Sequence, residues 1–187
     1  SAITVSVSFT DDYSNGETAT SDATSAVANV NDAGSGLSLA SDGDVADPDE
    51  DDVLSISGTL ADEDGVTGAS PTYVWSTGAT SSTLTLGQTN VGTTISVVIS
   101  YTDDQSESNT ITLTAASDVD NVNDSPSITS SGTTTGTEDS AYSYSITTTD
   151  EDGSSLDSWT ITCTTCPSWL SIAHTAGAST ATLSGTP

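Results

Sequence analysis

The chain has 187 residues, 27 of them Asp or Glu and none Lys or Arg, so its formal charge is −27. Without basic side chains it cannot grip a phosphate backbone, an anionic membrane surface repels it, and Lys-dependent isopeptide links are impossible. Leu, Ile, Val and Phe total 33 against 69 Ser and Thr; so low an apolar share with so much charge is the composition of disordered chains, and a fold would need small cores and something outside the protein to neutralise the acid.

The pattern argues for such a fold. Residues 1–33 read as two strands turned at Asn15-Gly16, a dipeptide suited to tight hairpins. The acidic run Asp42–Asp52 lacks the glycine and distal glutamate of an EF-hand loop, and reads as a solvated loop apart from Glu50. Asp62-Glu63-Asp64-Gly65 and Tyr73-Val74-Trp75 come next, with Trp75 read as a core side chain. Ile95, Val97, Ile99 and Tyr101 then alternate with Ser96, Val98 and Ser100, and Tyr142, Tyr144 and Ile146 with Ser143 and Ser145. Period 2 marks half-buried strands. Trp159 and Trp169 read as core and strand-end packing, and His174 as a surface loop residue. No segment carries a helical period, no apolar run approaches the ~18 residues of a membrane span, and no signal-peptide pattern is present. The expected class is all-β.

The chain repeats itself. Residues 1–33 align without a gap on 93–125, with 16 of 33 positions identical. Glu50-Asp51 precedes Asp62-Glu63-Asp64-Gly65 by the same interval as Glu138-Asp139 precedes Asp150-Glu151-Asp152-Gly153, at an offset of 88. A unit of about 90 residues suits a sandwich of seven or so short strands. The expected organisation is one complete unit at 34–123 between two partial ones: 1–33, the last strands of a preceding sandwich, and 124–187, the first part of another. The chain then reads as a window on a longer tandem array, in which a trailing and a leading fragment could complete one sandwich. Ile3, Val5, Val7 and Phe9 are expected to be buried by strands of another copy or of the same polymer, and not by 124–187 folding back.

These residues carry a family resemblance. The junction Asn121-Val122-Asn123-Asp124-Ser125-Pro126, and its partial copy from Asn29 to Ala33, resemble the linker of cadherin-like repeats. The two Asp-Glu-Asp-Gly turns and Thr102-Asp103-Asp104 are similar to the acidic positions of such repeats. Pro167-Ser168-Trp169-Leu170-Ser171 with Leu183-Ser184-Gly185-Thr186-Pro187 resembles the dystroglycan-type cadherin-like domain. The middle unit is similar to the Ig-like repeats of giant bacterial surface adhesins. The resemblance implies tandem Ig-like or cadherin-like β-sandwiches with Ca²⁺ at their junctions. An upper site would draw on Asn31, Asp32, Asp62, Asp64 and Asp103. A lower site would draw on Glu50, Asp120, Asn123, Asp124, Asp150 and Asp152, and Glu138 would serve a further junction beyond Pro187. Asn121 stands where the pattern has an acid, and no acidic-Arg-Glu motif occurs, so one or two ions per junction are expected.

Cys163 and Cys166 are too few for zinc, since only His174 could add a third of four ligands, and a redox motif needs a βαβ setting. In an exported chain a short-loop disulfide is favoured, with free thiols or an interchain bond as the alternatives. No nucleophile–base pair or phosphate loop points to catalysis. The expected role is an extracellular structural repeat of a long adhesin or surface filament, its partners neighbouring repeats or copies of itself. A carbohydrate- or cell-binding adhesion module, meeting surface glycans or another cell, and a non-catalytic appendage of a secreted enzyme are the alternatives.

Overall fold

The computed structural model describes residues 2–153 and 158–187. It is all-β. The strands are β1 (Ser6–Thr10), β2 (Gly16–Thr20), β3 (Ser35–Ser41), β4 (Val53–Ala61), β5 (Thr72–Trp75), β6 (Thr83–Thr85), β7 (Thr94–Thr102), β8 (Ser108–Asp118), β9 (Ser127–Ile128), β10 (Tyr142–Thr149), β11 (Leu170–His174) and β12 (Thr180–Gly185). They form four sheets of antiparallel neighbours: β1-β2, β3-β4-β6, β5-β7-β8 and β11-β12-β10-β9.

The main core lies in residues 34–123. Along β7, Ile95, Val97, Ile99 and Tyr101 are buried while Thr94, Val98 and Thr102 are exposed, as the alternation predicts. Ile95, Val97 and Ile99, with Trp75, meet Leu54 from the β3-β4-β6 sheet, and Leu86 and Val119 join the same cluster. Two small sheets thus bury one apolar layer between them. Trp75 is 2% exposed and its indole N–H donates to the Ser81 carbonyl at 2.8 Å. Fully burying a side chain of this class stabilises by about 1.5–3 kcal/mol, so a cluster this small matters greatly to a chain so poor in apolar residues.

The internal repeat is visible in the backbone. Ser35 pairs with Ala61, and Ser127, 92 positions on, pairs with Thr149, 88 positions on. The β4–β6 pairing Leu54↔Leu84 recurs as Tyr142↔Gly185 between β10 and β12. Asp51 N–H donates to the Leu86 carbonyl at 3.3 Å, and Asp139 N–H to the Pro187 carbonyl at 3.1 Å. Asp51 and Asp139 both take positive φ, 70° and 61°, which non-glycine residues seldom adopt. Sheet β9-β10-β12 is therefore the counterpart of β3-β4-β6, with β11 added at its edge. Among the described residues no second sheet faces it.

The β1–β2 hairpin is likewise the counterpart of β7–β8. Asp11 Oδ1 accepts the N–H groups of Tyr13 and Asn15 at 2.9 and 2.8 Å; Asp103 Oδ1 accepts those of Gln105 and Glu107 at 2.8 and 2.9 Å. Ser14 and Ser106 close the two turns at φ 65° and 71°. The turn is thus built on Asp11, spans residues 11–15 and ends at Asn15-Gly16, wider than the two-residue turn the dipeptide suggests. The Asp11 carboxyl is held below its usual range, first by the Asn15 N–H and then by the Asn15 side chain.

Ile3, Val5, Val7 and Phe9 are 53–59% exposed, and among the described residues of this chain nothing covers them, 124–187 included; β1 and β2 pair only with each other. His174 ends strand β11, half-buried, with Nε2 2.9 Å from the Ala178 carbonyl, because the register of β11 against β12 extends one residue further than a loop would allow. Trp169 stands just before β11 and meets Tyr142 edge-on, ring centroids 6.0 Å apart. Trp159 lies outside any strand and its indole N–H is buried without a partner among the described residues. Cys163 and Cys166 are disulfide-bonded.

Candidate metal centres

Each Asp-x-Asp-Gly turn curls so that its first carboxylate caps the third residue. Asp62 Oδ1 accepts the Asp64 N–H at 2.9 Å, and Asp150 Oδ1 the Asp152 N–H at 3.2 Å. Gly65 and Gly153 close the turns at φ 88° and 90°, where a side chain would be strained. The linker aspartate then docks on the turn. Asp32 N–H donates to Asp64 Oδ2 at 3.0 Å, and Asp124 N–H to Asp152 Oδ2 at 2.8 Å. The same two contacts therefore recur at both junctions.

At the upper junction, carboxylate oxygens of Asp62, Asp64 and Asp103 lie within 4.8 Å of one another. Asp103 is 6% exposed, and its Oδ2 accepts the Asn109 side-chain amide at 2.9 Å. Asn109 Oδ1 in turn accepts the Asn31 amide at 2.9 Å, which brings Asn31 to the edge of the group. Asp32 reaches it through its N–H alone. Tyr101 donates its phenol O–H to Asp62 Oδ2 at 2.6 Å. Burial, followed by the hydrogen bond and charge of Asp62, pushes the Tyr101 phenol up to about 12. Gly34 sits against this phenol so closely that a Cβ there would stand 1.9 Å from its oxygen.

At the lower junction the grouping differs from the expected one. Glu50, Asp124 and Glu151 place oxygens within 4.8 Å of one another, while Asp150 and Asp152 serve as turn and docking acceptors. Asp152 Oδ1 accepts the Asn121 amide at 2.6 Å and Oδ2 the Asp124 N–H, so both oxygens are already engaged. Glu50 is 4% exposed. Its backbone N–H is held by the Asp120 carbonyl at 2.9 Å, so Asp120 contributes through its main chain and its carboxylate stays outside the cluster. Asn123 donates its amide to the Asp124 carbonyl at 2.9 Å. With its amide turned, Gln88 donates to Glu50 Oε2 at 2.9 Å. Burial raises the Glu50 carboxyl above its usual range, and the charges of Asp124, Asp51 and Asp152 add to the rise against a lowering by the Val122 N–H.

Glu151 escaped the sequence reading because it is the outward residue of its turn. Glu138 is exposed and lines an apolar groove beside Tyr142 and Trp169, apart from both clusters. Carboxylates packed this closely repel one another, and the chain has no Lys or Arg to compensate. An all-oxygen set of this kind suits a hard cation, and either group could hold a metal ion. Comparison with known protein families gives no match for this chain, and comparison with curated proteins gives none either.

Proposed function

We propose that the chain is an extracellular structural repeat of a long adhesin or surface filament, stiffened by Ca²⁺ at the junctions near Asp32 and Asp124. The observation that supports this reading is the repeated junction: the linker aspartate docks its N–H on the turn aspartate at 3.0 and 2.8 Å, beside three converging carboxylates each time. Calcium takes six to eight oxygens from carboxylates, amide carbonyls and water, and Asn31, Asn109, Asn121 and Asn123 stand among the acids as further oxygen sources. A shared ion would tie the end of one unit, through Glu50, to the linker and first turn of the next, through Asp124 and Glu151. The role is reach and mechanical spacing, with no reaction carried by these residues. The disulfide between Cys163 and Cys166 accords with an oxidising compartment.

Thermal unfolding with Ca²⁺ and with chelator, at matched ionic strength, tests the reading. Ions that bind only the folded state stabilise it by mass action, so calcium should raise the melting temperature well beyond an equal ionic strength of NaCl. An unchanged melting temperature would leave the acids as solvated turn residues.

A further inference from the structure

The two sheets of the unit at 34–123 end in four edge strands, β3 and β6 on one and β5 and β8 on the other. Exposed edges recruit further strands, and folded proteins blunt them with short length, proline, bulges or charge. Strand β6 has three residues, β5 has four and follows Pro71, and β3 carries a register shift between Ser35 and Leu37. Strand β8 is 11 residues long, and from Ser108 to Ser117 it holds no proline and no acid in a chain with 27 acids. Its pairing with β7 is regular from Ser108 to Thr114. The segments on either side of this unit, 1–33 and 124–187, belong to the chain, and among the described residues neither pairs with β8.

The phase of the ladder fixes which backbone groups face outward. Opposite residues of antiparallel strands alternate between pairs that exchange two N–H···O bonds and pairs that exchange none. Asp103 N–H donates to the Glu107 carbonyl at 3.1 Å, and Ser76 N–H to the Ser96 carbonyl at 2.8 Å. Both bonds set the same phase. Strand β7 turns the backbone of Ser96, Val98 and Ser100 toward β5, and that of Val97, Ile99 and Tyr101 toward Leu113, Ile111 and Asn109 of β8. The N–H and C=O groups of Ser108, Thr110, Thr112 and Thr114 therefore point away from β7, and among the described residues none has a partner. Their side chains are exposed, while Ile111 and Leu113 are half-buried, as are Leu37 and Leu39 of β3, which approaches β8 on this side.

We propose that two copies of this chain pair antiparallel through β8, about a two-fold axis at Ile111. The occupant is a second copy because this edge is complementary to itself. With Ile111 opposite its own copy, Ser108 faces Thr114 and Thr110 faces Thr112, all of them residues with outward backbone groups. Each such pair exchanges two bonds, about eight in all. Thr–Thr neighbours across strands are favourable, and like charges directly opposite are not. Glu107 falls opposite Ala115 and Asp118 past the end of the other strand, so no two acids meet in the ladder. Two chains of formal charge −27 repel each other, and an acid-free edge is where they can approach. The merged sheet runs β5-β7-β8-β8-β7-β5 and leaves only the short β5 strands as edges, so association closes at an isologous dimer. The pairing stands whether or not calcium binds, and added salt should promote it by screening the charge.

Sedimentation equilibrium of the 187-residue chain, from micromolar to near-millimolar concentration in buffered salt, combined with amide hydrogen exchange read by NMR, tests this. The average mass should climb from monomer to dimer and level off there, at lower concentration when salt is higher. The amides of Ser108, Thr110, Thr112 and Thr114 should exchange about tenfold more slowly once about nine-tenths of the chain is paired, since only the unpaired fraction exposes them. Proline is tolerated at an edge position whose N–H faces solvent, so Thr112→Pro should stay monomeric while keeping the near-ultraviolet signal of the sandwich around Trp75. Val74→Asp, on the far strand of the same sheet, should dimerise as the wild type does. A wild-type chain that stays monomeric throughout would overturn the proposal and leave the edge to an extended peptide of another protein. A dimer that leaves those four amides exchanging as fast as in the monomer, or one that Thr112→Pro forms equally well, would overturn it too.

Discussion

Replacing Asp103 by Asn separates what this residue does for folding from what it does for an ion. The asparagine keeps an oxygen for the Gln105 and Glu107 N–H groups but turns its NH₂ toward the Asn109 amide that Oδ2 accepts at 2.9 Å. Losing that one bond costs on the order of 1 kcal/mol. Removing a charge whose oxygens lie within 4.8 Å of those of Asp62 and Asp64 returns about 1 kcal/mol per pair at water-like screening. Without metal, Asp103→Asn should therefore unfold within about 1 kcal/mol of the wild type. With calcium at about 100 times its dissociation constant, the wild-type site gains roughly 2.7 kcal/mol. If the variant binds about 100-fold more weakly, it gains only about 0.4 kcal/mol. For a unit of this size, 1 kcal/mol moves the melting temperature by about 4–8 °C, so the calcium-induced rise should shrink by roughly 10–20 °C. The lower site still contributes in this variant, and adding Glu50→Gln should remove most of what is left. Circular dichroism melts with and without chelator measure these shifts. A calcium response equal to that of the wild type in Asp103→Asn would refute the assignment of Asp103 as a ligand.

Glu50 adds a pH dependence. Its carboxyl is raised in the folded state, so in metal-free solution its contribution to stability is present at low pH and is lost as pH climbs from the ordinary glutamate range, about 4.3, through the raised value. Melting across that window should show a decline that Glu50→Gln makes shallower; an unaltered decline would contradict it. Tyr101→Phe should cost on the order of 1 kcal/mol through the lost bond to Asp62. In an ultraviolet titration of the five tyrosines it should abolish the latest-ionising one, and a titration identical to wild type would place that late ionisation elsewhere. Small-angle scattering should show a longer maximum dimension in calcium than in chelator as the linker at 120–126 stiffens, and superimposable curves would argue against a shared ion there.

The parts of this structure legible in the sequence are those set by period and repetition. Alternation over Ile95–Tyr101 and Tyr142–Ile146 dictates which side chains turn inward, because the side-chain period of a strand is 2. The ungapped match of 1–33 to 93–125 carries both the Asp-based turns and the apolar face, and the Asp11 counterpart of Asp103 was there to be read from it. Contacts between units were harder to read. Glu50 and Asp124 were expected at the lower junction together, whereas Glu151, which joins them, sits between the two aspartates of its turn, a position the Asp-x-Asp spacing passes over. Asp150 and Asp152 follow the ligand spacing, yet their oxygens hold the turn and dock the linker. His174 looked like a loop residue because its neighbours are small and polar, but pairing with Ala181 sets it at the end of a strand.

Calcium binding at the two junctions can be counted. Equilibrium dialysis with radioactive calcium at near-physiological ionic strength counts the ions directly. Binding should be saturable, with at least one ion at each junction, one class of site being lost in Asp103→Asn and the other in Glu50→Gln. Binding that shows no saturation, or that both substitutions leave intact, would contradict it.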